Sequence, residues 1–167
     1  VAYKEIISNE QKEFMLEQIY STAALQNQMQ QKGHQFVIAV VDNNSAGFAS
    51  YSITQSTTES IGKLHKIYVN PNQQGKGIGK SLLQFVLKDI SAKGAIQLKL
   101  NVNRQNKAIG FYQKLGFTII AEEDIPIGNG FFMNDYVMQI SCWQPPSAIA
   151  KVNGENFLNC TIIYSPM

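Results

Sequence analysis

The sequence predicts an α/β fold built around a mixed sheet. Short apolar runs rich in β-branched residues alternate with longer runs whose apolar residues recur at helical spacing. From residue 61 onward the predicted order is strand, helix, strand, helix, strand, strand. The 167 residues suit one domain with a core of ordinary size, and the sequence contains no internal repeat.

The first part of the chain is predicted to form one strand and two helices. Residues 2–7 form a short strand, and Ser8 or Asn9 can cap a helix over 10–20. Residues 21–32 continue with helical periodicity up to a glycine, a common residue at a helix end.

Three strands follow. The apolar runs 36–41 and 46–54 flank a polar turn at 42–44, which predicts an antiparallel hairpin. After a polar break, residues 61–69 form the next strand.

The second half alternates helices and strands. The apolar residues of 81–90 recur at helical spacing and Gly94 follows them, so we expect an amphipathic helix that ends there. The remaining predicted elements are strand 96–102, helix 107–115, strand 117–122, a loop over 123–130 that contains Pro126, and strand 131–140.

Residues 74–79 form a glycine-rich turn between an apolar run and the amphipathic helix, which predicts an anion site. A P-loop would need a glycine where Gln74 stands. The dinucleotide fingerprint would need a glycine at Lys80 and an acidic residue near position 99. Spacing therefore disfavours both nucleotide motifs.

Two segments carry a family resemblance. Gln74, Gly77 and Gly79 fill the pattern Gln/Arg-x-x-Gly-x-Gly/Ala, which resembles the acyl-CoA pyrophosphate loop of the GNAT N-acetyltransferase superfamily. Residues 106–117 resemble its Asn-x-x-Ala-x-x-Phe-Tyr-x-x-x-Gly-Phe signature, with the alanine one residue early. The resemblance covers roughly 6–140 and is closest to the polyamine and diamine branch.

The resemblance implies a fold and a domain division. It implies a single GNAT domain over residues 1–140, with a mixed, mostly antiparallel central sheet flanked by helices. Residues 141–167 are expected to be an extension that adds a strand or is partly disordered.

It also implies an acetyl-CoA-dependent N-acetyltransferase and a set of residues that bind the donor. Backbone groups of the strand would hold the thioester and pantetheine, loop N–H groups would hold the pyrophosphate, and an asparagine would contact pantetheine or cap its helix. These residues are Ile67, Val69, Gln74, Gly75, Lys76, Gly77, Ile78, Gly79, Lys80 and Asn106. The alternative for the strand is a plain core strand.

Tyr112 is the implied general acid. A phenol with a pKa of about 10 stays protonated at neutral pH and can protonate a departing thiolate. The alternative is a core aromatic residue beside Phe111 and Phe117.

His65 is the best available general base. Strand alternation predicts that Lys63, His65, Ile67 and Val69 share one face, and that face contains no carboxylate. A structural histidine, with the amine proton passing to water, is the alternative.

Glu122, Asp135 and Tyr136 are the implied contacts of the acceptor, a small-molecule amine of the polyamine or diamine type. A solvated charged turn is the alternative for the acidic run. Protein N-terminal or lysine amines, antibiotic amines, and a non-catalytic acyl-CoA sensor remain alternative functions.

Composition excludes other classes. The net charge of +2 does not favour nucleic acid, no apolar run approaches the roughly 20 residues of a membrane span, and the histidines and cysteines lack metal-ligand spacing. A cytoplasmic protein is expected, with a homodimer left open. Cys142 and Cys160 are expected as free thiols or as a bridge.

Overall fold

The computed structural model describes residues 9–128, 130–142 and 160–164. The described residues up to His34, together with Leu100–Ile140, form a first compact unit; Gln35–Lys99 and the described residues from 141 on form a second. The strand predicted over 2–7 lies outside the described residues, and the division at residue 140 stays a prediction.

Four helices and seven strands occur in the described residues. In chain order they are α1 Asn9–Tyr20, α2 Thr22–Gln30, β1 Gln35–Val41, β2 Asn44–Gln55, β3 Ser60–Val69, α3 Ile78–Ala92, β4 Ala95–Asn103, α4 Ala108–Lys114, β5 Thr118–Gly128, β6 Phe131–Ser141 and β7 Cys160–Tyr164, with a 3₁₀ turn at Pro71–Gln73 before α3. The predicted α/β class is confirmed: helices flank a mostly antiparallel sheet.

The second unit contains the strand order β4, β3, β2, β1, β7. β1 pairs antiparallel with β2 through a turn in which Asp42 and Asn43 have φ angles of 49° and 61°. Two successive positive φ angles are typical of the type I′ hairpin turn, where Asp and Asn are favoured. β7 pairs antiparallel with the other side of β1, so one strand does form within residues 141–167.

Helix α3 covers one face of the second unit, and we call this the helix face. Leu82, Val86 and Ile90 of α3 are fully buried. The fully buried Tyr51 of β2 donates from its hydroxyl to Asp89 Oδ2 of α3 at 2.7 Å. Residues of β2 and β3 that share a face with Tyr51 therefore lie on the helix face.

A β-bulge in β3 changes which residues share that face. Tyr51 pairs with Leu64 and Ser50 pairs with Lys66, so His65 is an extra residue without a partner row. The side-chain alternation of β3 shifts at this point. Rows of the ladder therefore place Leu64, Ile67 and Val69 on the helix face, and Lys63, Lys66 and Tyr68 on the opposite face.

The prediction that His65 shares a face with Ile67 and Val69 is therefore wrong. The Nε2 atom of His65 lies 2.8 Å from Oγ of Ser52, whose row partner is Lys63, so His65 belongs to the opposite face. Period-two alternation fails because a bulge inserts one residue into the count.

The first unit contains the strand order β5, β6, β4. The predicted loop over 123–130 is wrong, because β5 runs on to Gly128 and its residues pair antiparallel with β6. Pro126 is compatible with this strand because β5 stands at the end of the order, where one side needs no donor. The charged run of β5 is strand and not a turn.

No helix among the described residues is long and apolar enough to cross a membrane.

Candidate functional site

The glycine-rich turn of the second unit has the backbone of an anion site. Gly75 and Gly77 have φ angles of 78° and 79°, a region that side chains with a Cβ rarely adopt. Gly77 is the N-cap of α3, and the first helical hydrogen bond runs from the Ser81 N–H to the Gly77 carbonyl at 3.0 Å. The N–H groups of 78–80 therefore precede the helical ladder and point along the axis at the positive end of the helix dipole.

The side chains around this turn hold its shape. Lys76 Nζ donates to Gln73 Oε1 at 2.8 Å, and Gln74 Nε2 donates to the Val69 carbonyl at 3.5 Å. An ideal Cβ built on Gly75 or Gly77 would meet no atom within 4 Å, so the space above both glycines is open to a ligand. The turn therefore has the open space and the N–H groups that an anion site needs.

The backbone of β3 next to the turn has a defined direction. The Asn70 N–H donates to the Ala46 carbonyl of β2 at 2.8 Å. Because successive backbone groups of a strand point to opposite sides, those of Ile67 and Val69 point away from β2, toward the β4 side. Their orientation is compatible with binding an extended ligand along that side.

Asn106 of the first unit stands in a tightly bonded turn between β4 and α4. Its Oδ1 accepts from the Ala108 N–H at 2.9 Å, and its own N–H donates to the Asn103 carbonyl at 2.9 Å. The N-cap position itself is Lys107, and the Asn106 side chain caps the first helical N–H from the residue before it, which agrees with the predicted capping role. Nδ2 makes no hydrogen bond to a described residue and remains available as a donor.

Tyr112 is 7% exposed on α4. Its ring packs edge-on against Phe111 and Phe117, with centroid distances of 5.3 and 5.7 Å. This is the packing of the core alternative, and it also fixes the direction of the phenol. The acid role stays a prediction.

The predicted acceptor residues of the first unit fall on two faces. Glu122 pairs with Tyr136, while the next row pairs Glu123 with Asp135. Asp135 is fully buried and Glu122 is exposed. The structure therefore brings Glu122 and Tyr136 together and separates Asp135 from them.

Arg104 joins the first of these faces, and sequence reasoning missed it. Its guanidinium lies 2.8 Å from Asp124 Oδ1 and 3.6 Å from Glu122 Oε2, and 6.0 Å from the Tyr136 ring centroid. The sequence signal is that Arg104, which directly follows a strand, is the single arginine of the sequence. Arg104 thus offsets part of the negative charge of Glu122 and Asp124.

The side chains that the structure describes offer neither a reactive thiol nor a metal site. Cys142 is a free, half-buried thiol, and burial raises its pKa to about 11, which keeps it protonated at neutral pH. Among the described residues, no group of three or more His, Cys, Asp or Glu side chains could hold a metal ion.

Comparisons with known proteins agree with these features. A model of the acetyltransferase (GNAT) domain matches residues 3–139. A spermidine N(1)-acetyltransferase of Thermoplasma acidophilum is 31% identical over 122 residues, which cover 70% of this chain and 73% of the relative. A mycothiol acetyltransferase of Streptosporangium roseum is 43% identical over 61 residues, which cover 36% of this chain but 18% of the relative.

Solved structures match over a longer span. The crystal structure of PaiA N-acetyltransferase from Thermoplasma acidophilum in complex with coenzyme A superposes with a TM-score of 0.68 at 28% identity and covers 84% of this chain and 83% of that one. Acetyl-CoA is the acetyl donor of this domain family. The names of the two relatives refer to spermidine and to mycothiol, which belong to different chemical classes.

Proposed function

Because the chain belongs to the acetyltransferase (GNAT) domain family, we propose that it transfers the acetyl group of acetyl-CoA to a primary amine of a small di- or polyamine. The main support for binding of the donor, acetyl-CoA, is the turn at Gly75 and Gly77, which leads into the N-terminus of α3. The choice of a di- or polyamine as the acceptor is supported by the similarity to a spermidine acetyltransferase and by the carboxylates of β5.

Donor binding uses mainly backbone groups. In this proposal the N–H groups of Gln74, Gly75, Lys76, Gly77, Ile78, Gly79 and Lys80 bind the pyrophosphate, and backbone groups of Ile67 and Val69 bind pantetheine and the thioester oxygen. Nδ2 of Asn106 donates to a pantetheine carbonyl while Oδ1 keeps its cap on α4.

The chemistry needs two proton transfers. A C–N bond forms between the neutral amine and the acetyl carbon, and the thioester C–S bond breaks. Tyr112 donates its phenol proton to the departing sulfur, and His65 accepts the proton that the attacking nitrogen loses. Tyr112 later regains a proton from water, and His65 releases one to water.

A second ammonium group distinguishes a diamine from a monoamine. We assign the Glu122 carboxylate and the Tyr136 ring to that distal charge, with Arg104 limiting how strongly Glu122 attracts it; the fully buried Asp135 lies on the other face and is not assigned to it. A cytoplasmic location and a homodimer accompany this proposal as expectations.

Release of free thiol tests the proposal. Purified protein with acetyl-CoA is assayed with spermidine, a diamine, a monoamine of similar length and a peptide with a free N-terminus. We expect kcat/KM for the polycations to exceed that for the monoamine by at least about tenfold. Preference for the peptide would contradict the acceptor class, and no turnover of any amine despite bound CoA would contradict the enzymatic function.

The variant Tyr112→Phe tests the general acid. We expect kcat to fall about 100-fold with the affinity for CoA retained, because only the donated proton is removed. Tyr68→Phe is the matched control, since this tyrosine is 42% exposed and has no assigned role. Equal turnover of the Tyr112 variant and the parent would remove the acid role.

A further inference from the structure

His65 and Ser52 form a defined side-chain pair on the opposite face of the second unit. His65 Nε2 lies 2.8 Å from Ser52 Oγ, across the ladder between β3 and β2. The bulge makes this contact possible, because His65 is the extra residue of β3 and its ring reaches over the neighbouring row of Ser52 and Lys63. His65 is exposed, whereas Ser52 is half-buried.

We propose that Ser52 is a positioning residue that fixes the ring orientation and the tautomer of His65. The inference rests on the proposed function, in which His65 accepts the amine proton. In this proposal we assign the Ser52 hydroxyl as the acceptor of a hydrogen bond from Nε2–H, which places the proton of the neutral imidazole on Nε2. Proton exchange with the amine then takes place at Nδ1.

The direction of the ring supports this assignment of the two nitrogens. Nε2 is the distal nitrogen and reaches across to β2. Nδ1 is bonded to the ring carbon next to Cβ and therefore lies nearer to β3, whose Ile67 and Val69 backbone groups bind the thioester in the proposed function. The nitrogen held by Ser52 is thus the one farther from that strand.

The charged side chains of β3 and β4 on this face are lysines, which cannot accept a hydrogen bond from the His65 ring. Lys63 and Lys66 share the face on β3. Lys99 follows Leu98, which lies near the helix-face position of Gly62, so alternation places Lys99 on this face of β4. None of these ammonium groups accepts a hydrogen bond, and among the described residues of β2 and β3 on this face there is no carboxylate.

The proton step is balanced. The N–H bond of the attacking amine breaks as Nδ1 of His65 takes the proton and becomes imidazolium. Ser52 keeps its own proton and accepts the Nε2–H bond before and after the step. The exposed imidazolium then releases the Nδ1 proton to water.

Four variants test the proposal: Ser52→Ala, Ser52→Thr, His65→Gln and the double variant. At saturating acetyl-CoA we expect Ser52→Ala to lower kcat about tenfold and to shift the acid limb of the pH profile of kcat/KM, with KM for acetyl-CoA unchanged. Ser52→Thr restores a hydroxyl and should restore both rate and profile. The double variant should be no slower than His65→Gln alone, because Ser52 acts through His65.

Thr54→Ala is the matched control, because Thr54 is exposed two residues further along the same face of β2. It should leave rate and pH profile unchanged. A pH profile of Ser52→Ala equal to that of the parent, or additive effects in the double variant, would overturn the proposal.

Nitrogen NMR of the His65 ring separates this inference from the proposed function. The parent should show mainly the Nε2–H tautomer, and Ser52→Ala should move the population toward a mixture. If the parent turns over no amine, the proposed function fails, and the NMR result alone decides the positioning of the ring. An Nδ1–H tautomer in the parent would overturn the role of Ser52.

Discussion

Ser50 and Tyr51 are neighbours on β2 whose hydroxyl groups have opposite surroundings. Both side chains are fully buried. The Tyr51 hydroxyl donates to Asp89 at 2.7 Å, whereas the Ser50 hydroxyl has no hydrogen-bond partner among the described residues. A buried polar group without a partner destabilises the fold by about 1–3 kcal/mol, while a bonded one contributes about 1 kcal/mol net.

Removing each hydroxyl should therefore change stability in opposite directions. We expect Ser50→Ala to raise the free energy of unfolding by up to about 1 kcal/mol and Tyr51→Phe to lower it by about 1–2 kcal/mol. Urea unfolding at neutral pH measures both. If Ser50→Ala is as destabilising as Tyr51→Phe, the Ser50 hydroxyl has a partner in the folded protein.

At this scale the sequence predicts residue types better than their contacts. The capping by Asn106 follows from its place before a helix and is present in the structure. The pair formed by Ser52 and His65 and the ion pairs of Arg104 join positions 13 and about 20 residues apart. Such contacts depend on strand register, which no local pattern contains.

In two strands, β3 and β5, the pairing with a neighbouring strand changes the structure that the local sequence predicts. The bulge at His65 shifts the face of every residue after it in β3, because two residues there oppose one on β2. A local pattern of alternating residues contains no signal for that extra residue. In β5, Pro126 and the acidic run favour a loop locally, but pairing with β6 extends the strand to Gly128.

Variants of Asn106, which precedes helix α4, can separate its capping of the helix from its proposed binding of acetyl-CoA. Asn106→Asp keeps an oxygen for the Ala108 N–H but removes the Nδ2 donor, and Asn106→Ala removes both. We expect the Asp variant to retain the parent's stability and the Ala variant to lose about 1 kcal/mol. Both should raise KM for acetyl-CoA about three- to tenfold, the effect of losing about 1 kcal/mol of hydrogen bonding.

Urea unfolding and donor titration in the thiol-release assay provide the two readouts. An unchanged KM in the Asp variant would assign Asn106 to capping alone. Loss of stability in the Asp variant would mean that the carboxylate does not replace the amide as a cap.

For the whole molecule, ligand specificity follows from the loop that begins α3. A ligand that binds only the folded state at 100 times its dissociation constant raises the free energy of unfolding by about 2.7 kcal/mol. For a chain of this size that corresponds to an increase in Tm of about 5–10 °C. We expect this increase with CoA and none with ATP, since the P-loop glycine is replaced by Gln74.

Two glycine variants test whether the increase in Tm caused by CoA depends on the turn before α3. Gly77 and Gly33 both have positive φ angles, 79° and 62°, and a Cβ at either position would meet no atom within 4 Å. Gly77→Ala and Gly33→Ala should therefore lower the Tm of the ligand-free protein similarly, through backbone strain of about 1–2 kcal/mol. Only Gly77→Ala should also reduce the increase caused by CoA, because its methyl group occupies the space above the turn. A full increase in that variant, or an equal increase with ATP, would place the CoA pyrophosphate elsewhere.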